Sequence, residues 1–242
     1  MKILHYNILN GMTGSPNFTA CFADYLNGEP EVALLMLNEY RSSPVLDGML
    51  TACGFVHGCA NRLPQSKNKA AVFGRVPVGK CVAAPDHLRL VLLRRAEFDL
   101  VCYHASPGGV AAVLEEIEAL LPLLDAGRPT LLCGDLNSLS PDDRSALLYG
   151  ALTLESGPGR YFLNGELSFE ALEAFRAAGF EDVRGPGRCE TVPTRIGRKH
   201  EQGVRLRLDY CLSRGLAVAS ACVMDQPPFP EISDHYPLLI TL

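Results

Sequence analysis

Six places in this 242-residue chain set a polar, chemistry-bearing residue beside an apolar run. Asn7 follows Ile3 to Tyr6, and Glu39 follows the run Val32 to Leu37 through Asn38. His104 closes Cys102-Tyr103-His104, and Gly134-Asp135-Leu136-Asn137-Ser138 follows Leu131 to Cys133. Asp209 stands in Arg207-Leu208-Asp209-Tyr210, and Ser233-Asp234-His235 precedes the final apolar run. A polar residue just beyond a buried strand sits at a sheet rim, where loops gather and ligands bind. Glu39, Asp135 and Asp234 are hard oxygen ligands, and Asn7 and Asn137 offer neutral oxygens. Such a set suits Mg²⁺ or Mn²⁺ rather than a thiolate-seeking metal. His104 and His235 can carry protons or donate hydrogen bonds, and Asp209 is suited to orient His235 and stabilise its imidazolium form.

The elements that must position these groups alternate along the chain. Strands are expected over Lys2–Ile8, Val32–Asn38, Phe55–Cys59, Ala70–Arg75, Gly79–Ala84, Leu88–Arg94 and Asp99–His104. Further strands follow at Pro129–Cys133, Arg207–Ser213, Ala217–Val223 and Pro237–Leu242. Helices are expected over Asn17–Leu26 and from Ser43-Pro44, as N-cap and first residue, to Gly54. The period of apolar residues from Val110 to Leu124 predicts an amphipathic helix, and another runs from Ser168 to Gly179. Strands that follow one another without helices do not fit a βαβ dinucleotide-binding pattern, and no G-x-G-x-x-G stands in a strand-turn-helix setting. Two sheets packed face to face with helices outside fit better, in one domain over residues 1–242.

Composition narrows the classes. Hydrophobic residues make up 48% and charged residues 20%, which is globular. The apolar run Val32 to Leu37 is far short of a membrane span. The N-terminal residues lack the apolar region of a secretory signal. Nine cysteines without a C-x-x-C pair read as reduced thiols of a cytoplasmic protein, neither a disulfide framework nor a zinc site. The net charge of −5 argues against a protein that grips long nucleic acid.

In order and content the six places resemble the endonuclease/exonuclease/phosphatase superfamily, the DNase-I-like metallohydrolases, from Asn7 to His235. Gly134-Asp135-Leu136-Asn137, Ser233-Asp234-His235 and Arg207-Leu208-Asp209-Tyr210 carry the resemblance together. It implies an α+β fold, a four-layer αββα sandwich of two packed mixed β-sheets with the site at one rim. It implies that Asn7 and Glu39 hold Mg²⁺, with Mn²⁺ as a substitute, and that Asp234 supports the metal or orients His235. Asp135 and Asn137 would position or activate the attacking water and the scissile phosphate, and His104 would donate to a phosphoryl oxygen. His235, paired with Asp209, would be base or phosphate-stabilising donor. One departure is Leu37-Asn38-Glu39, where many members carry glutamine before the glutamate.

Phosphoester cleavage needs a water aimed in line, neutralised equatorial oxygens and help for the departing alkoxide. The expected activity is therefore metal-dependent hydrolysis of a phosphodiester or phosphomonoester. The alternative is a superfamily member turned to non-phosphate chemistry with the same metal and His–Asp pair. No tryptophan, no aromatic wedge and no basic N-terminal extension point to duplex repair, so a phosphorylated small molecule or short nucleic acid is the expected substrate. The basic stretch from Arg184 to Arg207 offers Arg195, Arg198 and Lys199 as ligands for a substrate phosphate or carboxylate; a solvated loop is the alternative reading. No membrane or protein partner is expected.

Overall fold

A computed structural model of the chain describes residues 1–12, 15–64, 66–143, 152, 159–197 and 205–242. Strand β1 (Lys2–Asn7), helix α1 (Phe18–Gly28), β2 (Val32–Tyr40), α2 (Pro44–Ala52), β3 (His57–Ala60) and β4 (Lys69–Gly74) make the first half. Then come β5 (Lys80–Val82), β6 (Leu90–Arg94), β7 (Asp99–His104), α3 (Val110–Leu120) and β8 (Thr130–Asp135). A short hairpin, β9 (Phe162–Leu163) and β10 (Glu166–Leu167), precedes α4 (Glu170–Ala177) and β11 (Glu181–Asp182). The chain closes with β12 (Asp209–Arg214), β13 (Ser220–Val223) and β14 (Leu238–Thr241).

These strands form two mixed six-stranded sheets, β13-β14-β1-β2-β4-β3 and β11-β12-β8-β7-β6-β5. Each sheet has one parallel pair, β1/β2 in the first and β7/β8 in the second. A parallel pair cannot be closed by a tight turn, and here α1 and α3 lie in the two crossovers. Period-two alternation sorts the side chains of β1: Ile3 faces the second sheet, while Leu4 and Tyr6 face α1. Ile3, Leu34, Met36 and Val72 meet Leu93, Leu100, Cys102 and Cys133 between the sheets. Phe18, Phe22 and Leu26 of α1 and Leu46 and Leu50 of α2 cover the outer face of the first sheet. Val113 and Ile117 of α3 and Leu172 and Phe175 of α4 cover the second. The four-layer αββα sandwich expected from the sequence is the observed architecture.

Local chemistry explains most boundaries. Ser43 caps α2 by accepting from Leu46 N at 3.2 Å, with Pro44 next in line. The helix from Val110 ends at Leu120 rather than Leu124, because Pro122 has no N–H to give and the chain tightens into a 3₁₀ turn over Leu121–Leu123. Phe55, expected to start a strand, is instead buried beneath the Arg75 guanidinium, 4.6 Å from its ring centre, and the strand begins at His57. Gly134 is required where β8 passes β7, since a Cβ there would lie 1.7 Å from Tyr103 O. No helix among the described residues is long and apolar enough to cross a membrane.

The Arg-x-Asp-Tyr strand also starts two residues late, at Asp209, because Arg207 is held as an anchor. Its buried guanidinium donates to Asp143 Oδ2 at 2.7 Å and to both oxygens of Asp182 at 2.9 and 2.5 Å, and stacks 4.2 Å from the Tyr210 ring centre. Removing one partner of a buried ion cluster leaves the others unpaired. Arg207→Met is expected to lower stability by about 3–5 kcal/mol and the melting temperature by roughly 10 °C, read by thermal and denaturant unfolding.

Candidate active site

The ends of both parallel pairs lie at the same rim. In the first sheet Asn7 is in register with Asn38. In the second, His104 is in register with Asp135 on one side and Asp209 faces Asp135 on the other. The carboxyl ends of parallel strands are a recurrent place for ligand crevices. Ser233 ties the Ser-Asp-His loop to this rim, its Oγ donating to Asn7 O at 2.7 Å.

Asp135 is the point of convergence. Its Oδ2 accepts from Asn7 Nδ2 at 3.1 Å and lies 3.6 Å from His104 Nε2 and 3.7 Å from His235 Nε2. Its Oδ1 accepts from Asn137 N at 2.9 Å, and Asn137 Nδ2 donates to Ala105 O at 3.0 Å. Behind His235, Nδ1 is 2.7 Å from Asp209 Oδ2, and the Asp209 and Leu208 amides are held by Thr191 Oγ1. All of these groups are buried. Burial alone would depress His235, but Asp209 and Asp135 outweigh it and raise its pKa to about 10. Burial raises Asp135 to about 7, against the pull of His235. His104, buried and near Arg89, is pushed down to about 3 and is neutral. The resting site thus holds an Asp209⁻–His235⁺ pair next to a carboxyl group poised near neutrality.

Asn38, the short residue that replaces the family's usual glutamine, points between the sheets. Its Oδ1 accepts from Asp135 N at 2.8 Å and pairs with His5 Nε2 at 3.0 Å. His5 is fully buried with Nδ1 3.8 Å from Asp209 Oδ1, and neither atom has a hydrogen-bond partner. A histidine and an asparagine together therefore link both sheets directly behind the two acids.

Glu39 lies on the first sheet's side of the rim at φ 58°, where β2 shifts register between Leu37 and Tyr40. Its Oε2 accepts from Asn10 N at 2.7 Å and Asn68 Nδ2 at 3.1 Å, and its Oε1 from Asn7 Nδ2 at 3.4 Å. Asn7 thus shares one amide nitrogen between Glu39 and Asp135, while its Oδ1 accepts from Leu9 N at 3.2 Å. Here Asn7 spaces the two acids. Three neutral donors hold the Glu39 carboxylate at the rim, and Arg41 stands behind two of them, donating to Asn10 Oδ1 and Asn68 Oδ1. Among the described residues no three His, Cys, Asp or Glu side chains gather into a metal cluster. Mg²⁺ asks for less than that, since it keeps several waters and needs one or two carboxylates plus substrate phosphate. Glu39, held at the rim by the same Asn7 amide that reaches Asp135, offers a carboxylate of that kind, and Asp234 offers another on the cleft wall.

A cavity of about 470 Å³ opens beside His235 and Asp234, walled by Leu9, Val192, Pro193, Ile196 and Leu208 and by Arg160. Arg160 donates to Tyr161 Oη at 2.8 Å, its buried Nε has no hydrogen-bond partner, and its charge is felt at Asp135. Sequence alone does not point to it, because an arginine after Gly-Pro-Gly belongs to no periodic element. The segment around Arg195 does border the cavity, through Pro193, Ile196 and Gly197. Arg195 itself is exposed and turned to Glu231, 2.9 Å away. Arg198 and Lys199 lie outside the described residues. Elsewhere among the described residues of the basic stretch, Arg184 pairs with Asp143 and Asp182, Arg188 with Glu190, and Arg207 with Asp143 and Asp182.

Comparison with known proteins finds the same fold. An AP endonuclease from Archaeoglobus fulgidus superposes with a TM-score of 0.73 at 16% identity, covering 100% of this chain and 99% of that one. An endonuclease/exonuclease/phosphatase from Beutenbergia cavernae DSM 12333 gives 0.65 at 20% identity, covering 99% and 70%. The endonuclease domain of TRAS1, a telomere-specific non-LTR retrotransposon, gives 0.60 at 15%, covering 100% and 97%. At these identities the likeness is one of fold. No curated protein matches the sequence. The profile of the Endonuclease/Exonuclease/phosphatase family matches residues 4–235, and the chain belongs to that family of hydrolases.

Proposed function

We propose that this protein is a divalent-cation-dependent phosphoesterase acting on a small phosphoester or a short nucleic acid strand, within a single domain of a cytoplasmic protein. The observation that carries the reading is the meeting of Asn7, His104 and His235 at one oxygen of Asp135, beside the Glu39 carboxylate. Glu39, supported by Asp234, holds Mg²⁺ or Mn²⁺, which when bound neutralises phosphoryl oxygens and assists the departing alkoxide. Asp135 aims the attacking water and takes its proton. Asp209 fixes His235 through Nδ1 so that Nε2 faces the cleft and donates to a phosphoryl oxygen. Asn137 holds the turn that orients Asp135. His104, neutral and beside Asp135, has one N–H for the carboxylate or the substrate.

The cleft supports the substrate class. Its volume falls in the range of small-molecule sites. Among the described residues its wall is mostly apolar, with Arg160 as the arginine, which suits a compact ester carrying an apolar or ring group. A duplex groove would need a row of phosphate contacts, and Arg184, Arg188, Arg195 and Arg207 are already paired with acids.

Three measurements follow. Asp135→Asn, which keeps volume, and His235→Gln are expected to lower kcat on a phosphomonoester and phosphodiester panel with Mn²⁺ by about 10²–10⁴-fold, with melting curves near the parent. Near-normal turnover in either would remove that residue from the chemistry. Glu39→Gln should weaken Mn²⁺ binding by roughly 10- to 100-fold in calorimetry; an unchanged isotherm would place the ion elsewhere. Arg160→Ala should raise KM about tenfold with a smaller change in kcat, as expected for a lost charge-assisted phosphate contact. An unchanged KM would leave Arg160 a packing residue on Tyr161.

A further inference from the structure

The open edges of the two sheets bring two cysteines together. β3 is the last strand of the first sheet and β5 the last of the second. Cys59 sits on β3 opposite Val72, and Cys81 on β5 opposite Leu93. Their sulfurs are 2.7 Å apart, inside van der Waals contact, although both are free thiols. Cys81 is exposed and Cys59 half-buried. A surface cavity borders both residues, so a small reagent can reach them. Cys133 and Cys211 also face each other, on β8 and β12, but both are buried beyond such access. Disulfide sulfurs lie about 2.05 Å apart, so bonding asks for a movement of about 0.7 Å.

We propose that Cys59 and Cys81 form a disulfide modification site that staples the two sheet edges when the protein meets a low-molecular-weight disulfide. The exposed Cys81, as its thiolate, attacks one sulfur of the reagent and expels one thiol, leaving a mixed disulfide. Cys59, as its thiolate, attacks the Cys81 sulfur, forms the Cys59–Cys81 bond and expels the second thiol. Two electrons pass from the protein thiols to the reagent, and their two protons leave on the two released thiols. Burial, reinforced by the facing Cys81 thiol, pushes Cys59 up to about 12. Exposure makes Cys81 the first attacker; once its thiol is spent in the mixed disulfide that reinforcement is gone, and Cys59, beside the Cys81 sulfur, takes the resolving role. The bond closes a short chain segment, β3 through β5, and restricts the unfolded state accordingly.

The test uses the full chain incubated with oxidised glutathione, then mapped by non-reducing peptide mass spectrometry. The expected product has lost two hydrogens, carries one cross-linked peptide pair containing Cys59 and Cys81, and retains no glutathione at either residue. Its melting temperature should rise by roughly 5–10 °C and return on reduction. Cys81→Ser and Cys59→Ser, each a small change at an edge strand, should abolish both the cross-link and the shift; Cys59→Ser should keep glutathione on Cys81. Persistent glutathione on Cys81 in the parent protein, a cross-link between other cysteines, or an unchanged melting temperature with the bond formed would each overturn the proposal.

Discussion

Where the two sheets meet at their rim, one oxygen of Asp135 is approached by an amide from the first sheet and by two imidazoles, His104 at the end of β7 and His235 of the Ser-Asp-His loop. Burying that much ionisable chemistry is costly unless each group has a partner. The partners are supplied from far apart in sequence: Asp209 for His235, Asn7 for Asp135, and Asn38 for the Asp135 amide. The register of β8 between β7 and β12 is what makes this possible, since it sets His104 and Asp209 on either side of Asp135. A slip by one residue in either pairing would turn these side chains to the opposite face of the sheet.

Backbone strain gathers at the same rim. Leu9, Asn10, Met12, Glu39 and Asn137 all adopt positive φ, five of the six non-glycine residues that do so among the described residues. Each such conformation costs of order 1–3 kcal/mol and persists where the surroundings over-determine it. Here the return is visible. The left-handed turn through Leu9 and Asn10 sends the Asn10 amide to Glu39, and the Asn137 conformation sends its amide back to Asp135. The site is thus shaped by main-chain donors that ordinary extended strands would not aim at it.

The layered fold was readable because buried strands announce themselves as apolar runs and α1 through α4 by period or caps. The site was readable where a motif is local: Gly134-Asp135-Leu136-Asn137 and Ser233-Asp234-His235 each hold their meaning within a few residues. What could not be read depends on register across the sandwich. Nothing in Leu37-Asn38-Glu39 says that Asn38 turns inward to a histidine on β1. Nothing in the basic stretch says that Arg184 and Arg207 belong to Asp143 and Asp182 rather than to a substrate. Arg195 looked free because Glu231 is 36 residues away. Long, flexible cations choose partners in space, and sequence spacing carries no record of it.

The Asp135 rim is the proposed meeting place of cation and phosphate. A crystal grown with Mn²⁺ and inorganic phosphate, with anomalous data collected at the manganese edge, addresses this directly. The expected map has manganese on the Glu39 carboxylate and phosphate in reach of Asp135, His104 and His235. Manganese bound away from Glu39, or phosphate seated elsewhere with this rim vacant, would contradict it.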